Sequence, residues 1–256
     1  MHKFNIYEFA GVITPGVLAL FVAAIIYPDF TAIDKILNIN IGGFGVIVFI
    51  AYIAGHLLQG LGNKLEKLLF FLLHKSSPSD WILSNENRYK LLSICQYNKL
   101  SDYLIDNYNF DINSSNDIQN NKWEFVYKQI HIKTLAADQD SRIAIFQGNV
   151  GLFRGVAIIS IFFCLLSVCL SISKSLACYL TSNSIDDLAI DYHSLLFILI
   201  SLLALLISID RMMYFKIKFT SELLIQYLIV NENKESSSTQ DCNIDESKKC
   251  CIVFKF

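Results

Sequence analysis

His56 and Gln59 stand near the far end of an otherwise apolar stretch, Gly42 to Lys67, GGFGVIVFIAYIAGHLLQGLGNKLEK. Three residues apart, they share one face of a helix. Imidazole titrates near neutral pH, so the pair suits a proton-sensitive gate, and the same two groups suit an interhelical hydrogen bond. Either use requires them to face other helices or a wet cavity, because a polar side chain turned to lipid has no partner. Arg154, in GLFRG at 151–155, is placed to reach lipid headgroups, with a pore-lining charge as the rival reading. Pro15 and Gly16 interrupt the first apolar run, either as a kink that neighbouring helices absorb or as a broken helix lining an ion or substrate site. Asp138 and Asp140 make a D-x-D pair of the kind that holds a metal with a phosphate substrate. On a helix, however, residues two apart diverge, and Arg142 offers an ordinary ion-pair partner. The chain has no G-x-S-x-G, H-E-x-x-H, Walker A or G-x-G-x-x-G pattern. The expectation is therefore no catalytic residue, no metal and no cofactor.

Membrane-crossing elements must position these residues. The 256 residues are 54% hydrophobic and only 17% charged, against about 25% charged in a soluble domain. A net charge of -2 gives no overall basic field, so nucleic acid is not indicated as a partner. The seven cysteines contain no C-x-x-C pair, and no disulfide framework follows. Cys250 and Cys251 resemble a lipidation signal, but a prenylation box must end the chain and Phe254 to Phe256 lie beyond it.

The first span is read over Phe9–Tyr27, the second over Ile41–Leu61, the third over Gly155–Ser173 and the fourth over Leu195–Ile209. Ala51 and Gly55 in the second span, and Gly151 and Gly155 at the entrance to the third, offer small-residue surfaces where another backbone can come close. The predicted fold is an all-α membrane protein with four transmembrane helices. A helical cytosolic insert lies between spans two and three, and a cytosolic helix follows span four. The segments are a first hairpin over 1–63, the insert over 64–147, a second hairpin over 148–210, a helix over 211–230 and a mobile tail over 231–256. Within the insert, residues from Lys64 to Lys75 read as a helix on the inner surface or as the first helix of a soluble domain. A helix beginning near Trp123 has no proline before span three, so an unbroken stalk from Trp123 to Ser173 is expected. NFDINSSNDIQNN is expected to be a loop.

Of 21 Lys and Arg, only Lys35 and Lys174 fall in the two outer connections, leaving 19 on the other side. The positive-inside rule then places both termini and the insert in the cytosol. Five Asp on the outer connections give a mildly acidic mouth, which either concentrates cations or serves solubility.

YEFAGVITPG at 7–16, AYIAGHLLQGLGNKLEK at 51–67 and GLFRG at 151–155 resemble segments of bacterial four-span inner-membrane proteins of unassigned function. The architecture is similar to that of the membrane effectors of anti-phage defence systems. That resemblance implies a non-enzymatic, homo-oligomeric channel or membrane-perturbing protein, gated when a cytosolic protein partner or signal acts on the insert. The rival readings are a membrane anchor for a cytosolic partner and a membrane enzyme.

Overall fold

In the computed structural model, residues 8–26, 41–74, 77–83, 90–112, 117–137, 142–182 and 192–238 are described. Apolar runs without an internal breaker make long helices, and six α-helices account for most of these residues. They are α1 (Thr14–Ile26), α2 (Ile41–His74), α3 (Ile94–Tyr108), α4 (Asp117–Ala137), α5 (Arg142–Ser182) and α6 (Tyr192–Ser238). A π-helical turn, Phe9–Ile13, leads into α1, and a 3-10 turn, Pro78–Leu83, precedes α3. No strand occurs among the described residues.

Three stretches, Gly43–Leu72, Arg142–Ser173 and Leu195–Glu232, are long and apolar enough to cross a bilayer, consistent with a multi-pass membrane protein. Phe9–Ala24 is a shorter apolar helix. At 1.5 Å per residue it covers about 24 Å, short of a hydrocarbon layer of about 30 Å. The connections on either side of it lie outside the described residues.

The helices differ from expectation at three ends. Lys64 to His74 does not begin a separate surface helix but continues α2, because nothing between Leu61 and Lys64 breaks the backbone ladder. Residues 117–121 open α4 instead of belonging to a loop, and α6 reaches Ser238, past Asn231. The stalk expected from Trp123 to Ser173 is described as two helices, α4 and α5, with 138–141 outside the described residues.

The chain divides into two compact units. Residues 1–75 and 144–216 form the first, here the membrane unit, and residues 76–143 and 217–256 form the second, the helical unit. Within the membrane unit Leu58, Ile158 and Ile159 are buried together against Leu18, Ala19, Val22 and Leu65. Many of its large apolar side chains are exposed, among them Phe21, Phe49, Leu57, Phe162, Leu203 and Leu206, as suits contact with lipid.

The helical unit has a core of the kind water favours. Trp81, Leu100, Leu104, Phe110, Trp123, Ile130 and Leu223 are buried. Phe110 stacks on Trp123 with ring centroids 5.7 Å apart, and the Trp123 indole donates to the Ser79 carbonyl at 3.0 Å. Ser93 caps α3: it accepts from the Gln96 amide while the Gln96 side chain accepts from the Ser93 amide, a capping box. Asn109 ends the same helix in the left-handed conformation. The second half of α6 belongs to this unit, where Ser221 donates to the Leu91 carbonyl at 2.7 Å and Lys99 pairs with Glu232. Burial pushes the Tyr127 hydroxyl up to about 12, so it stays protonated.

Candidate functional site

Pro15 creates the vacancy around which the membrane unit is tied together. In an α-helix the amide four residues on would donate to the Gly11 carbonyl, and a proline there has no N–H to give. The chain answers with the π-helical turn, in which the Thr14 amide reaches back to the Phe9 carbonyl, and the Thr14 hydroxyl donates to the same oxygen at 3.0 Å. Gly11 is left with a carbonyl that looks outward, and Gln59 of α2 donates to it.

Gln59 uses both of its amide protons and its oxygen. Its second amide proton goes to the Gly151 carbonyl of α5 at 2.7 Å, and its oxygen accepts from Arg154 at 3.2 Å. Arg154 in turn donates to Asn63 and forms an ion pair with Glu66, while the other oxygen of Glu66 lies 3.0 Å from the Lys216 ammonium of α6. Gln59, Asn63 and Glu66 follow one another at helical spacing on one face of α2, so a single helix presents the acceptors and Arg154 gathers them. Gln59 and Glu66 are buried, and Arg154 is 9% exposed. Two cations share the Glu66 carboxylate, and the Arg154 Nε is buried without a partner.

Glycine permits the approach that this network needs. A Cβ on Gly16 would overlap the Ala51 carbonyl, and one on Gly55 would overlap the Val12 carbonyl. Across the other seam, Gly151 lies against Gly11 and Gly155 against Pro15. The G-x-x-x-G entrance therefore packs on the π-turn and the proline that follows it.

The structure thus brings Pro15, Gly16, Gly55, Gln59, Gly151, Arg154 and Gly155 to one junction. It does not bring His56 there. His56, expected with Gln59 to face other helices or a wet cavity, is exposed, with its ring edge-on to Tyr52 at a centroid distance of 4.4 Å. Three residues along a helix leave about 60° between side chains, enough to put one in the seam and the other outside it. Arg154 likewise corrects the headgroup reading, since it turns inward to Glu66. Asp138 and Asp140 lie outside the described residues.

Asn63, Glu66 and Lys216 were missed in the sequence. Their signal was present in the Gln59, Asn63, Glu66 spacing, but Glu66 sits among Lys64 and Lys67, where it reads as one more charge on a wet surface. Among the described residues, no three His, Cys, Asp or Glu gather as a metal site. Comparison with protein-family models, curated proteins and solved structures gives no match.

Proposed function

We propose that the chain is a four-span, non-enzymatic protein of the bacterial inner membrane, with both termini cytosolic. In this reading it assembles as a homo-oligomeric channel or membrane-perturbing effector, gated through its helical unit. The observation that carries the reading is the buried Gln59–Arg154–Glu66–Lys216 network, which ties α2, α5, α6 and the π-turn before α1 at one junction. Buried ions and amides inside an apolar helix unit are costly, and they favour one arrangement of the helices over others. Such a junction acts as a latch: it holds one packing, and loss of a few hydrogen bonds releases it. Tyr52 and His56 support assembly of several copies. They stand exposed beside Gly60, over which a Cβ would meet nothing, so a second chain on that face would give the rings the neighbours that lipid does not.

The test is ion leak from potassium-loaded liposomes. Gln59→Leu removes three hydrogen bonds from the latch and is expected to raise leak several-fold over the wild-type chain, with oligomer size and helix content unchanged. If neither protein leaks more than empty vesicles, the channel reading is overturned. The anchor reading then gains, and one feature favours it specifically: Phe125, Ile132 and Leu135 form an exposed apolar stripe along α4, suited to a cytosolic protein partner. An anti-phage setting is part of the proposal, and survival of infected cells carrying the wild-type or Gln59→Leu chain tests it.

A further inference from the structure

The helical unit holds a polar cluster of its own. Tyr108 closes α3, Lys133 lies on α4, and Tyr227 and Asn231 follow one another by one turn on α6. Tyr227 has no exposed surface. Its hydroxyl lies within reach of the Asn231 side chain and the Tyr108 hydroxyl, and the Lys133 charge acts on it from over the Tyr108 ring. Yet the Tyr108 hydroxyl, the Tyr227 hydroxyl and the Asn231 Nδ2 are each buried without closing a hydrogen bond. Lys133 places its ammonium 4.9 Å over the Tyr108 ring and has no carboxylate partner among the described residues.

Elsewhere in the unit the Ser93 cap, the Trp123 indole and the Ser221 hydroxyl are matched, and Gln226 Oε1 is a further buried atom without a partner, but among the described residues only here do several such groups gather. Buried donors left unpaired work against folding, so a cluster of them on three helices calls for a function. The four groups share one chemistry. Two phenols, a carboxamide N–H and an ammonium all donate, one of them carries a full positive charge, and no carboxylate is among the groups that influence Tyr227. Converging donors with a single cation suit an oxyanion, because each hydrogen bond to an ionised acceptor is stronger than its neutral counterpart.

We propose that Tyr108, Lys133, Tyr227 and Asn231 form a binding site for the oxyanion group, phosphate or carboxylate, of a small soluble molecule. Occupancy would tie the end of α3 to α4 and α6 within the helical unit. That this is where the chain receives its gating signal rests on the function proposed above, whereas binding itself does not.

The experiment uses the full chain in neutral detergent, titrated by calorimetry with inorganic phosphate, with acetate, and with chloride at matched ionic strength. Saturable binding of phosphate or acetate, beyond the chloride response, is expected, and the tighter of the two names the group. Lys133→Met and Tyr227→Phe each remove one donor while keeping the apolar bulk, and each is expected to weaken binding by about tenfold, the scale of one charge-assisted hydrogen bond. Lys128→Met, which changes an exposed lysine on the same helix, should leave binding as it is. Phosphate and acetate no better than chloride, or Lys133→Met binding as tightly as wild type, overturns the site. No vesicle enters this measurement, so the site can fail while the leak assay succeeds, and the reverse.

Discussion

In the membrane unit the well-buried side chains include Ala51, Ala157, Gln59, Glu66 and Arg154, whereas in the helical unit they include Trp81, Trp123, Phe110, Leu100 and Leu104. The contrast is the one that two solvents, lipid and water, produce. Lipid tails are as apolar as leucine, so moving a leucine from lipid into a helix interface gains little, and helices there associate through close backbone approach and polar groups that lipid cannot satisfy. In water the same leucine gains roughly 1.5–3 kcal/mol on burial, and bulky cores follow. One chain uses both rules, and the Gly55 and Trp123 neighbourhoods show them side by side.

The largest expected effect breaks the polar side of that contrast. Arg154→Leu leaves the Gln59 oxygen, the Asn63 oxygen and one Glu66 oxygen without their donor, and breaking a buried ion pair costs about 3–5 kcal/mol. Adding Glu66→Leu to that variant should recover part of the loss, because an apolar pair replaces a stranded carboxylate. Unfolding in mixed micelles, followed by circular dichroism, measures both. A loss under about 1 kcal/mol for the single variant would show that the network is not what holds the unit. Leu104→Ala, in the core of the helical unit, should lose a comparable 2–5 kcal/mol with no polar group involved.

Two glycines on α2 sharpen the comparison, since they lie five residues apart and predict opposite signs. A methyl group at Gly55 would overlap the Val12 carbonyl, so Gly55→Ala must push two backbones apart and is expected to cost about 1–3 kcal/mol. Gly60 has open space, and Gly60→Ala should stabilise α2 by about 0.5–1 kcal/mol through the lower entropy of the unfolded chain. The same micelle unfolding, run on both variants, checks the pair. Equal signs would remove close approach as the reason for the Gly55 position.

Much of this was legible because it is periodic. Apolar runs, the small-residue spacings at Gly151 and Gly155 and the polar Gln59 announce helices that must pack through glycine, and the junction holds those residues. The shorter apolar segment Phe9–Ala24 shows where length alone stops deciding, since its helix of about 24 Å falls short of a hydrocarbon layer of about 30 Å. Glu66 and Lys216 were hidden by their neighbours, since composition cannot tell a charge in a seam from one on a wet face. His56 shows how narrow the seam is: three residues along a helix leave about 60° between side chains, so Gln59 is buried while His56 is exposed. The assembly of the helical unit from 76–143 and the end of α6 is a long-range pairing, yet the helical period of MMYFKIKFTSELLIQYLIV after Arg211 already points to a helix that packs against the insert.

The smallest effect tests whether water, and not merely hydrogen bonding, separates the two units. The Ser93 cap of α3 is exposed, so after Ser93→Ala the freed Gln96 amide can turn to solvent. Loss of an N-cap of this kind costs about 1 kcal/mol. Gln59 also binds main-chain atoms of other segments, but its partners at Gly11 and Gly151 are buried and have no solvent to fall back on. Urea unfolding of Ser93→Ala, followed by Trp81 and Trp123 fluorescence, should therefore shift by a fraction of what Arg154→Leu does. A Ser93→Ala loss as large as that of Arg154→Leu would mean that the cap, like the junction, is inaccessible to water, and the division between the units would then rest on packing alone.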